Sequence, residues 1–61
     1  MNKIKQLRLK KEMNQTEFGL AIGIQQSYVS ALEVGRVNLT HEMAKKIAKK
    51  FKVSLKSLLE P

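Results

Sequence analysis

The sequence predicts an all-α domain: five short helices in a single unit over residues 1–61. Three observations predict it. Helix formers dominate, and aromatics make up only 5% of the chain, which leaves few of the residues that favour strands. No stretch alternates apolar and polar residues over the length of a strand; apolar residues recur instead at helical spacing. Stop and start residues punctuate the chain at short intervals, at Asn14, Gly23, Gly35, Thr40 and Ser54. With 43% apolar residues the chain can build a core, but only a small one.

The first helix is expected from Asn2 to about Glu12. Ile4, Leu7 and Lys11 share a face, Arg8 lies beside Leu7, and Leu9 falls off the apolar stripe. Asn14 is a favoured N-cap for the second, and Glu17 stands three residues on, in the capping-box position. That helix runs through Phe18 to Ile22 and stops at Gly23, where a left-handed residue suits a C-terminus. A helix so short needs its neighbours for stability. The third begins near Gln25 or Gln26 and ends before Gly35. Val29 and Leu32 give its apolar side; Gln26, Ser27, Ser30 and Ala31 give an outward face that is polar, small and uncharged. The fourth opens at Thr40, with Glu42 in the first turn, where negative charge suits the dipole. Leu39, Met43, Ile47 and Phe51 recur every four residues, and lysines 45, 46, 49 and 50 cover the other side. Ser54 caps a last helix bearing Leu55, Leu58 and Leu59. Leu58 and Leu59 are adjacent, so both cannot face one core.

Composition excludes much. There is no cysteine and no aspartate, and His41 is the sole histidine, so neither a disulfide nor a zinc or di-metal centre is expected. Five unpaired glutamates offer no catalytic dyad, so the reading is non-enzymatic, with no cofactor. No apolar run approaches the length of a membrane span, and the N-terminus lacks the pattern of a secretory leader. Twelve Lys and Arg against five Glu give a net charge of +7, which favours a polyanionic partner.

Two short helices joined by a tight glycine turn form a helix-turn-helix unit, and Gln15 to Val34 fits it. Gly19 is the small residue where the helices cross, Gly23 is the turn, and Phe18, Ile22, Ile24, Val29 and Leu32 lock the pair. With Ile4, Leu7 and Arg8 before it, and Ile47-Ala48-Lys49, Val53-Ser54-Leu55 and Leu58-Leu59 after it, the chain resembles the phage-repressor and Cro-like (XRE-type) DNA-binding domains. The resemblance covers nearly all of the chain and implies the compact five-helix lambda-repressor-like fold. There are departures from the family pattern. Glu12 and Lys52 stand where glycine is common, Gln25 replaces a Ser/Thr cap, Leu39 a proline, and Gly19 an alanine.

A helix fits the major groove, where each base pair shows a distinct donor and acceptor pattern. Gln26 can bond bidentately to adenine, Ser27 can donate or accept, and Ala31 offers a methyl to thymine. Taken alone, these residues are a solvated helix face; on a helix-turn-helix carrying +7, base contact is the favoured reading. Gln15 opens the second helix, where free amides can hold a phosphate. The resemblance implies that Gln15 also braces the recognition helix, and that the loop after Gly35 grips the DNA backbone through Arg36, Asn38 and Thr40. His41 reads as a surface residue at a helix start. Tyr28 and Ser30 complete the expected backbone contacts, although Tyr28 suits the core equally well. The resemblance further implies that Arg8 and Glu33 meet as a part-buried ion pair.

The expected partner is double-stranded DNA, bound by a transcription regulator of repressor type. It would act on a palindromic operator as a weak homodimer that tightens on DNA, formed through the C-terminal helix or the turn before it. Antitoxin and restriction-controller roles belong to the same family. A basic membrane-surface peptide would not need so many helix stops, and an RNA or single-strand binder would want exposed aromatics, whereas Phe18 and Phe51 read as core. No small-molecule pocket is expected in so small a core. The expected location is the cytoplasm of a bacterial cell, for a chromosomal or phage-encoded protein associated with the nucleoid when bound.

Overall fold

A computed structural model describes residues 3–59. It contains five helices: α1 (Lys3–Lys10), α2 (Gln15–Ile22), α3 (Gln26–Val34), α4 (His41–Phe51) and α5 (Leu55–Leu59). Described residues outside them form turns and short loops. The all-α, five-helix expectation holds. α2 packs on α3, α4 on α5, α2 on α4, and α1 on α3.

The helix starts follow from side chains. Asn14 Oδ1 accepts from the Glu17 amide at 2.8 Å, and Glu17 Oε1 accepts from the Asn14 amide at 2.8 Å, a complete capping box. Thr40 Oγ1 accepts from the Met43 amide at 3.1 Å, and Ser54 Oγ from the Ser57 amide at 3.3 Å. α3 starts at Gln26 with Gln25 as N-cap, and the Gln25 side chain makes no capping bond.

The helix ends share one device. The amides of Met13, Ile24, Arg36 and Val53 each donate to a carbonyl five residues back, at Arg8, Gly19, Ala31 and Ala48. The residue before each donor, respectively Glu12, Gly23, Gly35 and Lys52, has positive φ. This is the left-handed cap that glycine takes without cost. Glu12 at φ 56° and Lys52 at φ 55° adopt it with a Cβ. That corrects the first helix: it ends at Lys10, with Lys11 and Glu12 in the turn and both exposed. Lys11 therefore shares no core face with Ile4 and Leu7. The expected start at Asn2 lies outside the described residues.

Ile4, Leu7, Phe18, Ile22, Val29, Ile47 and Leu58 form the buried cluster, with Met13, Ile24, Leu39, Met43, Phe51 and Val53 packed around it. Phe18 is fully buried, and its ring stacks on Phe51 with centroids 5.1 Å apart. Burying such a side chain contributes about 1.5–3 kcal/mol. Gly19 permits the α2–α3 crossing: a Cβ there would lie 2.5 Å from the Ile24 carbonyl oxygen. Leu58 is 8% exposed and Leu59 is 42% exposed, so the adjacent leucines do divide between core and surface.

Candidate nucleic-acid interface

The start of α3 is held by a relay of polar side chains. Arg8 donates from Nε to Glu33 Oε2 at 2.6 Å and from Nη2 to Glu33 Oε1 at 3.1 Å, a side-on bidentate pair. Its Nη1 donates to the Met13 carbonyl at 3.0 Å, which ties the end of α1 into the same node. Gln15 Nε2 donates to Glu33 Oε1 at 3.2 Å, and Gln26 Nε2 donates to Gln15 Oε1. One relay thus runs from α1 through the end of α3 and the start of α2 to the first residue of α3.

The chemistry of Glu33 sets the order of that relay. A carboxylate only accepts, so the Gln15 amide must turn its nitrogen toward Glu33 and its oxygen outward. That oxygen then takes a proton from Gln26. Gln26 is left with its own carbonyl oxygen and one N–H, the pair that a bidentate bond to adenine requires. Burial pushes the Glu33 carboxyl up; hydrogen bonds from Arg8 and Gln15, with the charges of Arg8 and Lys5, outweigh it and hold the group below its usual range. The bond to Glu33 raises Arg8 above its usual value, against the effect of its own burial.

Around this node the candidate contacts fall into two sets. Gln26 and Ser27 are exposed, and Ala31, Ser30 and Tyr28 are half-buried, so the outward face of α3 is narrower than a fully solvated stripe. Arg36, Asn38 and Thr40 are exposed in and after the loop that follows α3. Thr40 uses its oxygen as an acceptor for the α4 cap, which leaves its hydroxyl proton for another acceptor. Gln15 is half-buried; its side chain braces α3 through the relay and keeps one N–H for a further acceptor. The α2 N-terminus carries the acidic Glu17, and Asn14 takes the Glu17 amide, which makes it a poorer phosphate site than its sequence position suggests. α3 has no acid in its first turn and no side-chain cap. Its positive end is the more open of the two. His41 is exposed.

Sequence reasoning missed Val34. It is 66% exposed at the end of α3, three residues beyond Ala31 and seven beyond Ser27, and so continues the outward face. Helical spacing alone would have found it. Val37, 37% exposed, adds an apolar group to the adjoining loop. Among the described residues no cluster of metal-binding side chains occurs, and no helix is long and apolar enough to cross a membrane.

A family model described as helix-turn-helix matches residues 4–58, which takes in all but the edges of the chain. The chain belongs to the helix-turn-helix family, in its phage-repressor and Cro-like (XRE-type) form. No curated protein and no solved structure matches it significantly. A helix-turn-helix domain of this family is a DNA-binding module of the transcription-regulator type. The α2–turn–α3 pair is the unit that the family is named for, and the relay fixes the start of its second helix.

Proposed function

We propose that this helix-turn-helix domain is a sequence-specific double-stranded DNA binder that acts as a repressor. α3 enters the major groove, Gln26, Ser27 and Ala31 read bases, and Gln15, Tyr28, Ser30, Arg36, Asn38 and Thr40 hold the backbone. The observation that carries the reading is the fixed, exposed amide of Gln26. An amide oriented by a buried carboxylate costs less entropy on binding than a free one. Val34 joins the base readers as an apolar partner for a thymine methyl. The charge of +7 supplies the attraction to phosphate. Phe18 and Phe51 stack on one another in the core, which removes both from use as base-stacking platforms and disfavours single strands.

The assembly reading is a dimer on a palindromic site. The domain measures 24 Å along its longest axis, while half-sites one helical turn apart lie about 34–36 Å from each other. One copy does not span that distance. Leu59, exposed on α5, suits a small apolar contact between two copies, and such an area holds only a weak dimer. Two chains at +7 repel until phosphates neutralise them.

The test is selection from random duplexes, followed by titration of the selected duplex, a scrambled duplex and each single strand, with sedimentation of the complex. The reading expects the selected duplex to bind tightest, with two chains per duplex. Equal affinity for all four, or one chain on a footprint of a single half-site, would contradict specificity or dimerisation respectively.

A further inference from the structure

A groove of about 460 Å³ opens between α2 and α4, lined by Ala21, Ile22, Lys46, Lys49 and Lys50. Its lining is mostly apolar, and three ammonium groups stand around it. Lys46, Lys49 and Lys50 lie three and four residues apart, on one face of α4. Like charges at this spacing destabilise a helix. The helix dipole favours Lys49 and Lys50 in the last turn but gives no reason for Lys46. Among the described residues, none of the three has an ion pair. Among the described residues, three lysines without an ion pair therefore surround a small apolar floor made by Ala21 and the exposed edge of Ile22.

We propose that this groove docks an acidic amphipathic helix of a partner protein. Its apolar residues lie on half-buried Ala21 and the small exposed edge of Ile22, and its carboxylates meet Lys46, Lys49 and Lys50. Three arguments support this occupant. Charge and polarity are complementary, since a cationic rim with an apolar floor fits a ligand with both features. The groove is open along two packed helices, whereas a small-molecule site buries most of its ligand. An open groove between helices suits a helix laid into it. DNA would satisfy the lysines through its phosphates, which would leave the floor uncovered.

The groove also stands apart from the face assigned to DNA. Ala21 and Ile22 end α2, and the three lysines occupy the C-terminal half of α4. Gln15, Gln26 and Thr40 stand at the N-terminal ends of α2, α3 and α4. A partner in the groove and a duplex on α3 would use different ends of the same helices, and both would bind at once.

The experiment is a set of titrations of the isotope-labelled chain followed by amide chemical shifts. The probes are a synthetic helical peptide with leucines at i, i+3 and i+4 flanked by glutamates, the same peptide with serine for leucine, decanoate, and a DNA duplex. The proposal expects the first peptide to shift the amides of Ala21, Ile22 and Lys46 to Lys50, with the duplex present or absent, and the serine peptide to bind far more weakly. K46Q with K50Q should weaken peptide binding by about three- to tenfold, the scale of two exposed ion pairs, and K10Q with K11Q should not, although both lower the net charge equally. A peptide that leaves the groove amides unmoved overturns the proposal. So does equal binding of the serine peptide, which would make the surface a plain charge patch. Groove shifts with decanoate but not the peptide would make the occupant a small amphiphile. Groove shifts with the duplex alone would assign the lysines to DNA. The α3 amides report on the DNA reading separately, so the two fail independently.

Discussion

Replacing Arg8 with Met removes a charge and keeps most of the side chain's apolar stem, which makes it a clean test of the node beneath α3. In the wild type the Glu33 side chain is 4% exposed and Arg8 12%. Losing one partner of a buried pair costs about 3–5 kcal/mol. Gln15 still donates to Glu33, and Arg8 is not wholly dry, so the low end applies, about 3 kcal/mol. A domain of 61 residues has a total stability of about 3–9 kcal/mol. The variant should melt about 12–24 °C lower, by circular dichroism. The pH dependence carries the sharper signature. Wild-type Glu33 titrates below its usual range, so its contribution is present above the ordinary carboxylate pKa and is lost as pH falls through the lowered one. Without Arg8, burial loses its strongest opposition, and the carboxyl moves up. Its penalty then applies at neutral pH and is relieved as pH falls through the raised value. The gap between the two proteins should be widest near neutrality and close on acidification. Arg8→Met with Glu33→Leu should recover part of the loss, because no buried charge is stranded. An unchanged melting temperature, or a gap that is constant with pH, would refute the reasoning.

Other outcomes follow from single residues. Glu12→Gly and Lys52→Gly should each stabilise the domain by about 0.5–1 kcal/mol, since each releases a side chain from left-handed backbone against the entropy of glycine; urea midpoints that fall would contradict the cap assignment. Gly19→Ala should destabilise the fold, although alanine is the better helix former by about 1 kcal/mol, because its Cβ meets the Ile24 carbonyl. A rise in melting temperature would mean that the turn yields freely. DNA affinity should fall steeply with salt, and Arg36→Ala should reduce the slope of log K against log salt by about 1, as for one lost phosphate contact; an unaltered slope would free Arg36 from the backbone.

The sequence makes the helices legible wherever a side chain marks a boundary. Asn14 with Glu17, Thr40 and Ser54 act locally, so their caps can be read without tertiary knowledge. Gly23 and Gly35 mark two ends in the same way. The other two ends carry no mark in their own residues, Glu12 and Lys52, and only the resemblance, in which glycine is common at both places, points to them. For that reason the first helix reads as longer than it is. The site is half legible. Helical spacing gives the outward face of α3, and would have given Val34 had the stripe been followed to the end. The orientation of Gln15 and Gln26 is not legible, since it depends on where a carboxylate eighteen residues from Gln15 comes to rest. The α2–α4 groove is invisible for the same reason: Ala21 and Lys46 meet only in the folded chain.

The most direct test of the claim that α3 reads bases is the affinity of Gln26→Ala for the best selected duplex and for random duplex, measured against wild type at one salt concentration. The variant should lose about 1–3 kcal/mol on the selected duplex, the value of one bidentate base contact, and much less on random DNA. Equal losses on both would show that Gln26 touches the backbone and would contradict base reading by this residue; no loss on either would remove it from the interface.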